Sequence, residues 1–155
     1  MKQSAGILLF KKEEGEFKFF SVHPGGPFFA KKDAGWWSIP KGEINPEEDI
    51  LTAAIREFEE ETGKKLAGDF IELKPIVQKS GKKVFCWALQ GDIDETKIIS
   101  NTFEIEWPPK SGKTKSFPEI DKAAWFNIDE AKKMIMESQL SFLNEINQRF
   151  QKEYL

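Results

Sequence analysis

Apolar residues run unbroken from Ile7 to Phe10 before Lys11-Lys12, and a second apolar-rich run extends from Phe17 to His23. The polar stretch Glu13-Glu14-Gly15-Glu16 separates them, so Ala5 to Lys11 and Phe17 to His23 read as strands around a turn. Gly, Pro and aromatic residues then crowd Pro24 to Gly42, which reads as a loop. From Pro46 to Thr62 the period changes. Leu51, Ala54, Ile55 and Phe58 fall at i, i+3, i+4 and i+7, which predicts a helix with one buried stripe. Asn45 stands as its N-cap, Pro46 suits the first helical position, and Glu48 sits where a capping-box glutamate would. Gly63 suits a left-handed stop. Phe70 to Gln78 and Lys82 to Gln90 read as strands around Ser80-Gly81, and Phe103 to Trp107 as another. Pro108 to Pro118 reads as a loop carrying Lys110, Lys113 and Lys115, followed by a short strand, Lys122 to Phe126. Asn127, with Glu130 three residues on, caps a helix through Met136. A last helix is predicted from Ser141 to Tyr154, with Phe142, Leu143, Ile146 and Phe150 on one side. Strands interspersed with helices, without repeat or dividing linker, predict a mixed α/β sandwich.

At 155 residues the expectation is one domain spanning the chain. With 39% hydrophobic and 13% aromatic residues, disorder and low-complexity classes are excluded. No apolar run approaches the ~20 residues a membrane span needs, so no membrane association is expected. The short apolar stretch after Met1 is broken by lysines and reads as a first strand rather than a targeting segment. Cys86 is the only cysteine, so no internal disulfide forms, and a reducing cytoplasm is the expected compartment. Net charge is −3, from 23 basic and 26 acidic residues. Without a basic excess, no stable nucleic-acid partner is expected. Phosphates can still bind if a metal ion carries the positive charge.

The helix carries a second cluster. Glu57, Glu60 and Glu61 centre roughly 125° from the apolar stripe. They repel one another, and they lie near the helix C-terminus, where the macrodipole disfavours negative charge. Arg56 is the obvious local compensation. Two readings stand: a solvated acidic face, or carboxylates gathered for a hard divalent cation, which takes oxygen ligands.

The context bears on that choice. From Gly42 the chain reads glycine, five residues, Glu48, seven residues, then Arg56-Glu57-Phe58-Glu59-Glu60-Glu61-Thr62-Gly63. This resembles the signature of the Nudix hydrolases at every defined position except the last, where Lys64 replaces an aliphatic residue and Leu66 is available to substitute. The resemblance implies an α-β-α sandwich with a mixed sheet. It also implies hydrolysis of substrates in which a nucleoside diphosphate is linked to another group. By position, Glu57 and Glu61 should ligate Mg²⁺ or Mn²⁺, Glu60 should ligate or orient, and the Gly42 carbonyl should join the metal shell. Arg56 should orient the glutamates by charge-assisted hydrogen bonds. Glu48 is equally accounted for as a capping side chain. The general base is expected to be Glu57 within the motif or Glu119 in the later loop.

Trp37-Ser38-Ile39-Pro40-Lys41-Gly42 resembles the stretch found in family members acting on dinucleoside polyphosphates and diphosphoinositol polyphosphates. Lys41 is therefore the candidate for an outer phosphate, and Trp37 a candidate for substrate binding. One or two of Phe28, Phe29, Trp36, Trp37, Trp107 and Phe117 are expected to stack a base, the rest serving as anchors. Lys110, Lys113 and Lys115 read as a solvated basic loop. His23 lacks metal-ligating partners and is assigned a structural hydrogen-bonded role; Cys86 is assigned to packing. The leading expectation is a metal-dependent hydrolase of a nucleotide-type small molecule, most of all a dinucleoside polyphosphate. A nucleoside triphosphate pyrophosphohydrolase, a non-catalytic nucleotide sensor and an acidic protein-docking face are the competing readings.

Overall fold

The computed structural model describes residues 2–151. Strands β1 (Gln3–Glu13) and β2 (Glu16–Pro24) form the first hairpin. A long loop leads into β3 (Lys41–Glu43) and helix α1 (Ile50–Thr62). Strands β4 (Ile71–Glu72), β5 (Ile76–Val77) and β6 (Lys83–Gln90) follow, then the hairpin β7 (Thr102–Glu106) and β8 (Thr114–Pro118). The chain closes with β9 (Ile120–Phe126), α2 (Ile128–Met134) and α3 (Leu140–Gln151).

The main sheet runs β4-β6-β1-β2-β9, with β3 on β1 and β5 on β6. The β1–β6 pairing is parallel and the others are antiparallel, so the sheet is mixed. β1 is apolar on both faces because both are covered. Ala5, Ile7 and Leu9 pack with Phe20 and Val22 against Ala53, Ala54 and Phe58 of α1. Leu8 and Phe10 turn the other way, with Phe19, onto Ala131 and Ile135 near α2 and Phe142, Leu143 and Ile146 of α3. Two apolar cores on opposite faces of one mixed sheet make an α-β-α sandwich. No helix among the described residues is long and apolar enough to cross a membrane.

Five elements differ from the sequence reading, the first being β3, whose Lys41 and Gly42 fall in the stretch read as loop. Helix α1 starts at Ile50, capped by the Asp49 carboxylate, which accepts from Thr52 N–H. Asn45 therefore does not cap it. Glu47 takes a left-handed φ of 63°, which prevents helix from continuing back to Pro46. Half of the expected box survives as a local turn, with Asn45 N–H donating to Glu48 Oε1. The predicted strand Phe70 to Gln78 is split around Lys74-Pro75, because proline cannot donate to the β6 ladder. Pro108 to Pro118 is not all loop, since Thr114–Pro118 forms β8 against β7. Helix α3 begins at Leu140 and is described to Gln151; Tyr154 lies outside the described residues, as does Met1. At the other end of α1, Gly63 is the left-handed cap (φ 80°), its N–H donating to the Glu59 carbonyl. Leu66 packs against the α1-side core, supplying the apolar contact that Lys64 cannot.

Candidate active site

Strand β3 lays the segment before α1 along β1, with Ala5 opposite Gly42 and Gly6 opposite Lys41. The approach needs a glycine on β1, because a Cβ at Gly6 would lie 2.7 Å from the Pro40 carbonyl oxygen. From the other side a buried glutamine holds the same segment. Ile39 N–H donates to Gln139 Oε1 (2.9 Å), and Gln139 Nε2 donates to Ser38 Oγ (3.0 Å). The motif then meets the helix that follows it. Lys41 N–H donates to Glu61 Oε2 at 3.0 Å. Gly42 lies directly against Glu57, so that a Cβ there would overlap the carboxylate.

Arg56 ties the acidic helix together. Its Nε and Nη2 clasp both oxygens of Glu48 at 2.8 and 3.0 Å. Nη1 donates to Glu57 (2.8 Å) and Glu60 (3.1 Å), and Nη2 also reaches the Glu43 carbonyl. Hydrogen bonding to Arg56 holds the Glu48 carboxyl below its ordinary range, and the same contacts keep the guanidinium charged. Glu48 is thus a partner of Arg56 as well as a local turn acceptor, and an arginine's planar fork suits such a bidentate contact.

A cleft of about 290 Å³ opens beside this network, lined by Lys41, Glu57, Glu61 and Glu119 on its polar side. Phe29, Trp36, Ile120 and Met136 are among its apolar walls. Glu119 occupies the one-residue junction between β8 and β9. Its N–H donates to the Asn101 carbonyl, and Asn101 N–H donates to the Glu60 carbonyl of α1, so the junction is tied to the helix end. Burial pushes the Glu61 carboxyl up to about 8, with Lys41 opposing the shift and Glu57 and Glu119 adding to it. Burial also raises Glu57 and Glu119, the latter further by Glu60. Lys41 is lowered by burial and by Lys82. The cleft therefore gathers more carboxylates than its one lysine offsets, the electrostatic state in which a bound cation is favoured.

Glu60 bonds to Arg56 and stands outside the cleft lining. Trp37 differs from expectation. It is 6% exposed, packs edge-on against Phe126, and donates its indole N–H to Asp33. Its neighbour Trp36, 39% exposed, faces the cleft. Phe28 stacks edge-on with Trp107 outside the cleft lining, while Lys110, Lys113 and Lys115 lie exposed on the β7–β8 hairpin. His23 is fully buried and Cys86 sits in the core, in keeping with structural roles. Gln139 was not singled out by the sequence. It lies 100 residues from its partner Ile39, and no local spacing signals it.

The family model for the NUDIX domain matches residues 2–146. The chain belongs to the Nudix hydrolase family. Nudix hydrolase 7 of Arabidopsis thaliana is 36% identical over 113 residues, which is 68% of this chain and 38% of that protein. The mRNA-decapping enzyme subunit 2 of Saccharomyces cerevisiae is 27% identical over 106 residues, 68% of this chain and 10% of that protein. The chain thus spans well under half the length of these curated relatives. Among solved structures, a Caenorhabditis elegans Ap4A hydrolase binary complex superposes with a TM-score of 0.61 at 20% identity, covering 99% of both chains. The NUDIX domain of Shewanella oneidensis NrtR with ADP ribose gives 0.65 at 15% identity, covering 95% of this chain and 86% of that one. These likenesses establish the Nudix fold.

The Nudix motif also permits a test of whether this chain suits a divalent ion. Among the described residues, no three His, Cys, Asp or Glu side chains form a finished cage. Mg²⁺ seldom uses one; it takes one or two carboxylates together with substrate phosphates and water. Glu57 and Glu61, hard oxygen donors lining one cleft, fit that requirement.

Proposed function

We propose that this Nudix domain hydrolyses a phosphoanhydride bond in a nucleoside-diphosphate-linked substrate, most of all a dinucleoside polyphosphate, with Mg²⁺ or Mn²⁺. The observation that carries the reading is the sharing of one cleft by Glu57, Glu61, Glu119 and Lys41 with the rings of Phe29 and Trp36. Carboxylates and a lysine address a polyphosphate, and aromatic faces accept a base.

Glu57 and Glu61 hold the ion, assisted by the Gly42 carbonyl, with Glu60 at the rim. When bound, such an ion neutralises anhydride oxygens and lowers the pKa of water. Arg56 fixes the direction of the Glu57 carboxylate, and Lys41 supplies a point charge to an outer phosphate. Glu119, or Glu57, accepts the proton of the attacking water. Glu119 is the better placed for this role, because it comes from outside the helix and is not tied by Arg56. Names of relatives widen the substrate panel. A cap linkage of the m7GpppN kind, carried in the name of a Saccharomyces cerevisiae relative, also joins two nucleosides through phosphates.

The test is turnover of purified protein with Mg²⁺ or Mn²⁺. The panel is dinucleoside polyphosphates, nucleoside triphosphates, nucleotide sugars, ADP-ribose and cap dinucleotide, with products identified by mass. Preferred cleavage of dinucleoside polyphosphates to mononucleotides is expected. Release of pyrophosphate from nucleoside triphosphates alone would replace this reading with the triphosphatase one. Nucleotide binding without turnover would make the domain a sensor.

A further inference from the structure

The motif His23-Pro24-Gly25-Gly26-Pro27 has no part in the chemistry above, yet it is bonded to Glu119 itself and to Asp121 just beyond it. Gly25 N–H donates to the Glu119 carbonyl at 2.7 Å. No side chain is tolerated at that point, since a Cβ on Gly25 would overlap the Pro118 carbonyl oxygen. Two residues further along β9, the Asp121 carboxylate pairs with His23 Nδ1 at 2.7 Å. The opposite ring nitrogen, Nε2, donates to the Lys32 carbonyl at 2.6 Å, which anchors the loop bearing Phe29 and Trp36. The imidazole is fully buried, with its ring against that of Trp37.

The strand register explains the arrangement. His23 pairs with Lys122, whereas Pro24 pairs with Ile120, so β9 carries one extra residue, Asp121. A bulge of this kind re-aims side chains beside it. Asp121 turns to His23 and is held there, while the chain before the bulge delivers Glu119 to the cleft.

We propose that the His23–Asp121 pair and the Gly25 amide form a clamp that sets the bulge in β9 and thereby aims Glu119 at the reacting bond. His23, Gly25 and Asp121 are positioning residues, and they touch no substrate. The same histidine bonds the loop behind Phe29 and Trp36, so base wall and general base are held to one buried ring. The proposal rests on the reading of Glu119 as the base, and the experiment separates the two.

Asp121 is part-exposed and is the position to vary with least risk to folding. In Asp121→Ala, kcat on the best dinucleoside polyphosphate is expected to fall roughly tenfold, with KM within about twofold. Asp121→Asn, whose carboxamide can still hydrogen-bond to Nδ1, is expected to recover most of the rate. In a Glu119→Gln background Asp121→Ala is expected to cost nothing further, since the two act through one group. Multiplicative losses, or no rescue by asparagine, overturn the clamp while leaving the base intact. If Glu119→Gln alone keeps full kcat, the base reading fails and the clamp fails with it. A crystal structure of Asp121→Ala supplies a readout independent of turnover. Glu119 displaced from the cleft supports the clamp, and an unmoved Glu119 overturns it.

Discussion

The backbone N–H of Lys41 donates to the carboxylate of Glu61, so the residue that precedes the motif is bonded to the last glutamate within it. That single hydrogen bond does not offset burial, which pushes the Glu61 carboxyl from its ordinary 4.5 to about 8. A carboxyl raised on folding binds more protons in the native state than in the unfolded chain. The contribution of Glu61 to stability without metal is therefore expected to fall as pH rises from about 4.5 to 8, by on the order of a few kcal/mol. Thermal unfolding in chelator at pH 5 and pH 8.5 checks this. Glu61→Gln is expected to flatten the slope, and Mg²⁺ at the higher pH is expected to raise the Tm of wild type.

Arg56 is bidentate to Glu48 and bridges Glu57 and Glu60. Lysine retains the charge but not the fork, and three acids are left competing for one point charge. Arg56→Lys is expected to lose roughly 2 kcal/mol of stability and about a hundredfold in kcat through misdirected Glu57. Denaturant melts and steady-state kinetics measure the two effects. Near-normal turnover in this variant would show that the network is structural only.

Gly42→Ala places a methyl group where the Glu57 carboxylate now lies. The carboxylate is the flexible partner, so it moves and the fold survives. Calorimetric titration with Mn²⁺ is expected to show affinity lowered by about tenfold or more, with circular dichroism unchanged. Unaltered affinity would remove Glu57 from the metal set.

Trp36 and Trp37 are neighbours in sequence with opposite surroundings. Trp36→Ala is expected to raise KM by about tenfold, the loss of one stacked base, with little change in Tm. Trp37→Ala empties a core site and is expected to cost about 3–5 kcal/mol of stability. Kinetics and melting of the two variants side by side distinguish the roles, and a KM indifferent to Trp36 would remove base stacking from the cleft's apolar wall.

The pair also shows where reading the chain succeeds and where it stops. Gly42, Arg56, Glu57, Glu60 and Glu61 were legible because one helix and the turn before it fix their spacing locally. The strands β1, β2, β6, β7 and β9 were legible from apolar runs, whereas β3 and β8 were not; the centre of β1, Ala5 to Phe10, lacks polar side chains because it is covered on both faces. In an extended segment successive side chains point to opposite sides, and nothing local says which tryptophan faces in. That is decided by Phe126 and Asp33, which meet Trp37 only on folding. The start of α1 was misplaced because Asn45-Pro46 is a good helix entrance by type. The left-handed Glu47 and the Asp49 cap set the boundary four residues further on than that entrance predicts. Gln139 and the His23–Asp121 pair carry no periodic signature at all, since each acts across about a hundred residues of chain.

The carbonyl of Asn101 and the amide of Glu119 close the neck of the β7–β8 hairpin, which forms a two-stranded sheet apart from the main one. Between them the ends and one face of the hairpin are tied to the loop before the motif, through Phe103, Trp107 and Pro118, while its tip, Lys110 to Lys113, is exposed. That tip is where insertions or changes of sequence disturb Glu119 and its carbonyl partner Asn101 least.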